Sequence, residues 1–151
     1  METALDVAFV AVCLAAAGWD LVKRIIPNAL NLVILLGAVA AQVALYFGNG
    51  EAAPLSHLAH FAIALIAAML LFRFRLWGGG DGKFYACLAA WFPLAAALPL
   101  AVWTALMGGV LVIAVWLYAK VAKLRNWQNT LPYGIAIAAG GLLTRFGPQI
   151  F

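Results

Sequence analysis

Charge is what this sequence lacks most. Only 9% of its 151 residues are Asp, Glu, Lys or Arg, against about a quarter in an ordinary soluble domain. Hydrophobic residues make up 68% and the mean hydropathy is +1.06. So little polar surface cannot cover a water-soluble globule, and the chain is read as an integral membrane protein. Its length fits one membrane domain over residues 1–151, with no separate soluble domain expected. Cysteine is nearly absent too. Cys13 and Cys87 lie far apart inside apolar runs without CxxC spacing, which argues against a disulfide or a zinc site. A cleavable secretory signal is not expected either. Leu14-Ala15-Ala16-Ala17-Gly18 imitates a cleavage site, but the residues before it carry Glu2 and Asp6 and no base.

The net charge of +4 does not indicate nucleic-acid binding. The basic residues stand singly or in pairs between apolar runs, an arrangement that orients a membrane protein. A helix needs about 20 apolar residues to cross the hydrocarbon core. One run spans Leu5 to Val22 and ends at Lys23-Arg24, a second spans Ala29 to Phe47, and a third spans Leu55 to Phe72 before Arg73 and Arg75. Phe84 to Ala119 is uncharged and too long for one crossing. Pro93 and Pro99 predict a hairpin within it, giving a short fourth span and a fifth from Leu100 to Ala119. A polar loop follows from Lys120 to Thr130, then a short sixth span from Pro132 toward Thr144. The expected fold is therefore all-α, a polytopic bundle of about six transmembrane helices.

This threading puts Lys23, Arg24, Arg73, Arg75, Lys83, Lys120, Lys123 and Arg125 on one side and only Arg145 on the other. By the positive-inside rule the richer side is cytoplasmic. Glu2, Asp6 and Glu51 fall outside, leaving Asp20 and Asp81 as the acids of the inner side. Parity supports their meeting independently of orientation. Asp20 follows one crossing and Asp81 follows three, so both reach the same membrane face.

Asp81 lies within Gly78-Gly79-Gly80-Asp81-Gly82-Lys83, a glycine-rich break between apolar runs. Three glycines free the backbone for positive φ and let another chain approach closely, as a site holding an extended peptide requires. Acids at the ends of hydrophobic spans are costly unless they serve a purpose. Two carboxylates at one face suit aspartic proteolysis. Like charges close together share one proton, the ionised member activates a water, and the protonated member hydrogen-bonds the scissile carbonyl. No metal or other cofactor is needed. The residues leave open which acid ionises first. A proton-coupled transporter or channel is the main alternative, but a relay would spread its acids through the membrane depth. A non-catalytic assembly scaffold is a third reading, against which the intact acid pair argues.

Gly78-Gly79-Gly80-Asp81 resembles the GxGD signature of intramembrane aspartic peptidases. With Asp20, Ile26-Pro27-Asn28, Lys83 and the late segment Leu131-Pro132-Tyr133-Gly134-Ile135-Ala136-Ile137-Ala138-Ala139-Gly140-Gly141, the chain resembles the type IV prepilin peptidases. That resemblance implies removal of a short cytoplasmic leader from prepilin-like precursors, Flp-type pilins or pseudopilins, for pilus or secretion-system assembly. It implies catalytic roles for Asp20 and Asp81 and a multi-pass place in the bacterial inner membrane. Only a few residues separate the first two spans, where long bifunctional members carry a cysteine-containing cytoplasmic domain. The short form resembles the peptidases of tight-adherence pilus systems, and the sequence leaves N-methylation open because the domain that usually accompanies it is not expected. A GxGD peptidase acting on another substrate is the nearest enzymatic alternative.

Gly78, Gly79, Gly80, Lys83, Asn28 and Asn31 are the candidate supporting or substrate-binding residues. Lys83 is expected to steady Asp81 or the substrate, or else to snorkel to the interface. Asn28 reads as a helix N-cap, and Asn31 as facing the site or bonding within the bundle. His57 and His60 share a helix face at the opposite membrane side, where a metal site is the minority reading. Gly134, Ala138, Gly140 and Gly141 are expected to permit close helix packing. Trp77 and Trp127 fit an interfacial aromatic belt.

Overall fold

The structure, a computed structural model, describes residues 2–49, 52–123 and 131–148. Within these the chain is helical with no strand. Its elements are α1 (Glu2–Lys23), α2 (Asn28–Asn49), α3 (Pro54–Arg73), α4 (Gly79–Ala89), α5 (Ala97–Val121) and α6 (Tyr133–Phe146), with a 3₁₀ turn at Leu94–Ala96 before α5. It is a multi-pass membrane protein. Helices α1, α2 and α3, and α5 with its preceding turn, are long and apolar enough to cross a membrane.

The other two helices are shorter than spans. Helix α4 has 11 residues and α6 has 14, about 16 and 21 Å at 1.5 Å per residue, against a hydrocarbon core of about 30 Å. Among the described residues four of the six helices are long and apolar enough to span, and the two short ones are the fourth and sixth of the about six spans that the sequence predicts. The short helices are possible because neighbours shield them. Helix α4 packs against α2, α3 and α6, while α6 packs against α1 and α5 as well. Gly82 and every residue from Phe84 to Ala89 are buried. Small residues let the packing close. A Cβ at Gly140 would sit 2.8 Å from the Thr104 backbone, and one at Gly141 would sit 2.7 Å from the Leu88 side chain. Both glycines thus serve the predicted packing role.

A short helix ending inside a bilayer leaves carbonyls that water cannot reach. Here α3 satisfies them. His57 Nδ1 lies 2.9 Å from the carbonyl of Ala90 and His60 Nδ1 lies 3.2 Å from that of Phe92. A carbonyl only accepts, so both rings carry their proton on Nδ1. Gln42 Nε2 then donates to His57 Nε2 at 3.2 Å, and Gln42 Oε1 accepts from the Ala53 N–H. Ser56 Oγ takes the Leu94 N–H at 2.9 Å. The histidine pair of the sequence thus holds the C-cap residue of α4 and the turn that follows it. The hairpin turns at Trp91–Pro93, and Pro99 falls instead within the first turn of α5, where a missing N–H costs nothing.

At the same end, Arg145 of α6 pairs with Asp6 of α1, and its guanidinium lies 5.4 Å from the Phe9 ring. The start of α1 and the end of α6 therefore share one end of the bundle, as the parity argument requires. The acids lie at the other.

Candidate active site

Asp20 is in the last turn of α1 and is buried, 4% exposed. Pro27 follows shortly, so α1 cannot continue into α2 and the chain turns back beside the acid. Asp20 Oδ2 accepts a hydrogen bond from the backbone N–H of Gly134 at 2.8 Å. Gly134 is the second residue of α6, where N–H groups have no helical partner and favour negative charge. The fit is tight. A Cβ on Gly134 would sit 2.9 Å from Asp20 Oδ2 and 3.0 Å from Ile26 Cδ1.

Asp81 occupies the first turn of α4, outside the four spanning helices. Burial pushes its carboxyl up to about 6, and the negative charge of Asp20 adds to the shift. The two acids are thus electrostatically coupled across the junction of α1, α4 and α6. Ile26 packs against the backbone beside each acid. Its backbone lies 3.6 Å from where a Gly80 Cβ would stand, and its side chain meets Gly134.

From Asp81 a groove of about 1420 Å³ opens between α3 and α5. Arg73 and Arg75 line it, with Trp77, Tyr85 and Tyr133 beside the acid and Thr104 among its lining residues. Trp77 packs against Tyr85 and edge-on to Tyr133, ring centroids 5.2 and 5.6 Å apart. Trp77 is therefore part of the site wall. Trp77 Nε1 and Thr104 Oγ1 are buried and have no hydrogen-bond partner among the described residues.

A sequence profile of the type IV leader peptidase family matches residues 7–113, and both acids fall within that match. The chain belongs to the type IV leader peptidase family. It is 30% identical over 136 residues to a prepilin leader peptidase/N-methyltransferase of Xanthomonas campestris pv. campestris, an alignment covering 87% of this chain and 46% of that protein. The chain thus spans about half the length of the curated relative it matches. No solved structure matches it.

The other sequence candidates divide. Gly78 precedes α4 with φ −71° and ψ 143°, while Gly79 and Gly80 are already helical, and none of the three has a positive φ. The run is a helix start and not the open loop expected of it. What it uses is close approach. A Cβ on Gly78 would lie 2.7 Å from Asp81 Oδ2, and one on Gly79 3.3 Å from the Phe72 ring, whereas Gly80 has the most room.

Lys83, Asn28 and Asn31 do come together, but apart from the acids. Lys83 Nζ donates to Asn28 Oδ1 at 3.0 Å and is not bonded to Asp81. Two residues apart on a helix, Lys83 and Asp81 point to nearly opposite faces. Asn28 is the first residue of α2 and not its cap, because the Asn31 N–H bonds to the carbonyl of Pro27. Asn31 is buried with its amide unpaired. Cys13 and Cys87 are free and buried. Trp127 and the polar loop beyond Lys123 lie outside the described residues.

Gly134, Tyr133 and Ile26 are the site residues that sequence reasoning did not assign to catalysis. A signal existed. Pro132 announces a helix start, and the threading had already returned Leu131–Gly134 to the face of the acids.

Proposed function

We propose that the chain is an aspartic endopeptidase of the bacterial inner membrane that removes the cytoplasmic leader from prepilin-like precursors. The coupling between Asp20 and Asp81 carries this reading. Asp20, which accepts the Gly134 N–H, acts as the ionised member and takes a proton from a water. Asp81, with no donor bonded to it among the described residues and pushed up to about 6, keeps the shared proton and hydrogen-bonds the scissile carbonyl. The water oxygen attacks the carbonyl carbon, the tetrahedral intermediate collapses, and the proton passes to the leaving amine.

The groove between α3 and α5 takes the apolar segment of the precursor. Its unpaired Trp77 and Thr104 groups offer hydrogen bonds to peptide backbone near the cleavage point, where a substrate helix must unwind. Lys83 and Asn28 tie α4 to α2 and so hold the first turn that carries Asp81. The basic side, with both acids, faces the cytoplasm, and the short tight-adherence type of substrate follows from the resemblance.

The test is leader removal from candidate prepilins co-expressed with the enzyme. Asp20→Asn and Asp81→Asn should each lower cleavage about 10³-fold or more, and the double variant should be little worse, because the pair acts as one unit. Substantial cleavage by either folded variant would refute the dyad.

A further inference from the structure

Lys83, Asn28 and Asn31 line a second cleft, of about 230 Å³, between α2, α3 and α4. Neither catalytic acid lines it. Its remaining lining is Leu32, Leu35, Phe61, Leu65 and Cys87.

Donors are in excess here. Asn31 is 4% exposed, and both its Oδ1 and Nδ2 are buried without a hydrogen-bond partner among the described residues. A native interior rarely leaves an amide in that state unless something absent completes it. Lys83 has three N–H donors, of which Asn28 takes one. With no carboxylate in the lining, the polar end calls for an anion with several acceptor oxygens.

The remainder of the cleft calls for hydrocarbon. Leu32 is 56% exposed on α2, and α2 and α3 are spanning helices, so this face meets lipid. Asn31 lies one turn into α2, about 4.5 Å below its first residue, at the depth of a headgroup and not of the bilayer centre. An oxygen-rich anionic head joined to an apolar tail at that depth is a phospholipid.

We propose that this cleft binds an anionic phospholipid. Lys83 and the Asn31 amide donate to phosphate oxygens, Asn28 holds Lys83 in place, and an acyl chain lies along Leu32, Leu35, Phe61 and Leu65. The bound lipid braces α4 two residues from Asp81.

The test uses the full chain in nanodiscs of phosphatidylcholine with increasing phosphatidylglycerol, reading retained lipid by native mass spectrometry and the thermal midpoint. Lipid retention and the thermal midpoint do not depend on peptidase activity, so the proposal can fail while the peptidase reading stands. Wild type should retain phosphatidylglycerol in preference to phosphatidylcholine and gain thermal stability from it. Lys83→Met and the size-matched Asn31→Asp should each reduce retention about tenfold, as loss of a charge-assisted hydrogen bond predicts. Lys120→Met, which removes another base from the same membrane face, should not. Inorganic phosphate should neither displace the lipid nor raise the midpoint. Equal retention by wild type and variants overturns the proposal. So does inorganic phosphate acting as well as the lipid, which would make this a free-anion site. Unchanged lipid retention with loss of cleavage confined to precursors bearing an acidic residue would make it a substrate contact instead.

Discussion

At the scale of single residues, the site depends on what is missing beside each carboxylate. Gly134 supplies an N–H to Asp20 and leaves no space for a methyl group, 2.9 Å from the carboxylate oxygen. Gly134→Ala should therefore lower kcat on the order of a hundredfold, the effect of a displacement near 1 Å, with KM little changed. Gly78→Ala should impair cleavage more than Gly80→Ala, since only the former crowds Asp81; steady-state kinetics on well-folded variants would decide. Asp81 adds a pH signature. Its folded-state carboxyl, at about 6, stands above the ordinary value of about 3.9, so the fold favours its protonated form. That contribution is fully present below about pH 4 and lost as pH rises through about 6. Asp81→Asn should accordingly raise the melting temperature at pH 8 relative to wild type and much less at pH 4. In Asp20→Asn, the Asp81 carboxyl should titrate lower than in wild type yet still above the ordinary range. One cause, the neighbouring charge, is removed, while burial stays. Carboxyl-region infrared spectroscopy across the pH range would read both positions.

At the scale of elements, two short helices are held by groups that long helices do not need. The far end of α4 rests on His57 and His60, each bonded to a backbone carbonyl. His57→Ala should cost about 1–3 kcal/mol, the penalty of an unpaired buried acceptor. Asn or Gln there should recover part of it, as denaturation in detergent would report. The near end of α3 shows a different economy. Arg75 N–H bonds to the Phe72 carbonyl and Leu76 N–H to that of Leu71, both at 2.9 Å, with Arg75 at φ 58°. This is the helix stop that glycine usually provides. Arg75→Gly should gain up to about 1 kcal/mol of stability by relieving the left-handed residue. Because Arg75 lines the groove, the same change should weaken substrate binding. A variant both more stable and unaltered in KM would show that the charge serves no substrate.

For the whole molecule, the threading predicts opposite faces for its two loop ends. Single cysteines at Ala52 and Lys123, in a background with Cys13 and Cys87 replaced by Ala, should react from opposite sides with an impermeant maleimide. Lys123 should be labelled from the cytoplasm. Labelling of both from outside would overturn the orientation. The contact of Arg145 with Asp6 belongs to the same architecture. It joins the first helix to the last at the end opposite the acids, and charge reversal at both positions together should preserve more stability than either reversal alone.

Much of this protein was already determined by the order of its residues. Scarce charge and long apolar runs dictate a helical membrane bundle, because only helices satisfy every backbone group within a single apolar segment. Counting crossings brings Asp20 and Asp81 to one face, since each span reverses the side. The crossing count holds even for the short helices, since α6 runs from Asp20 at one end to Asp6 at the other. A run of apolar residues reports that a segment avoids water, but not whether lipid or other helices surround it, so the short length of α4 and α6 is not legible in it. Only tertiary packing decided that neighbours enclose these short helices, that His57 and His60 hold the end of α4 and the turn after it, and that the glycine run begins a helix. Packing also placed Lys83, Asn28 and Asn31 away from the acids. Asp81 and Lys83 are neighbours in sequence, but 3.6 residues per turn sends them to different sides of α4. The Gly134 N–H at Asp20 joins residues 114 positions apart, and no local pattern specifies a bond that forms only when α1 and α6 dock.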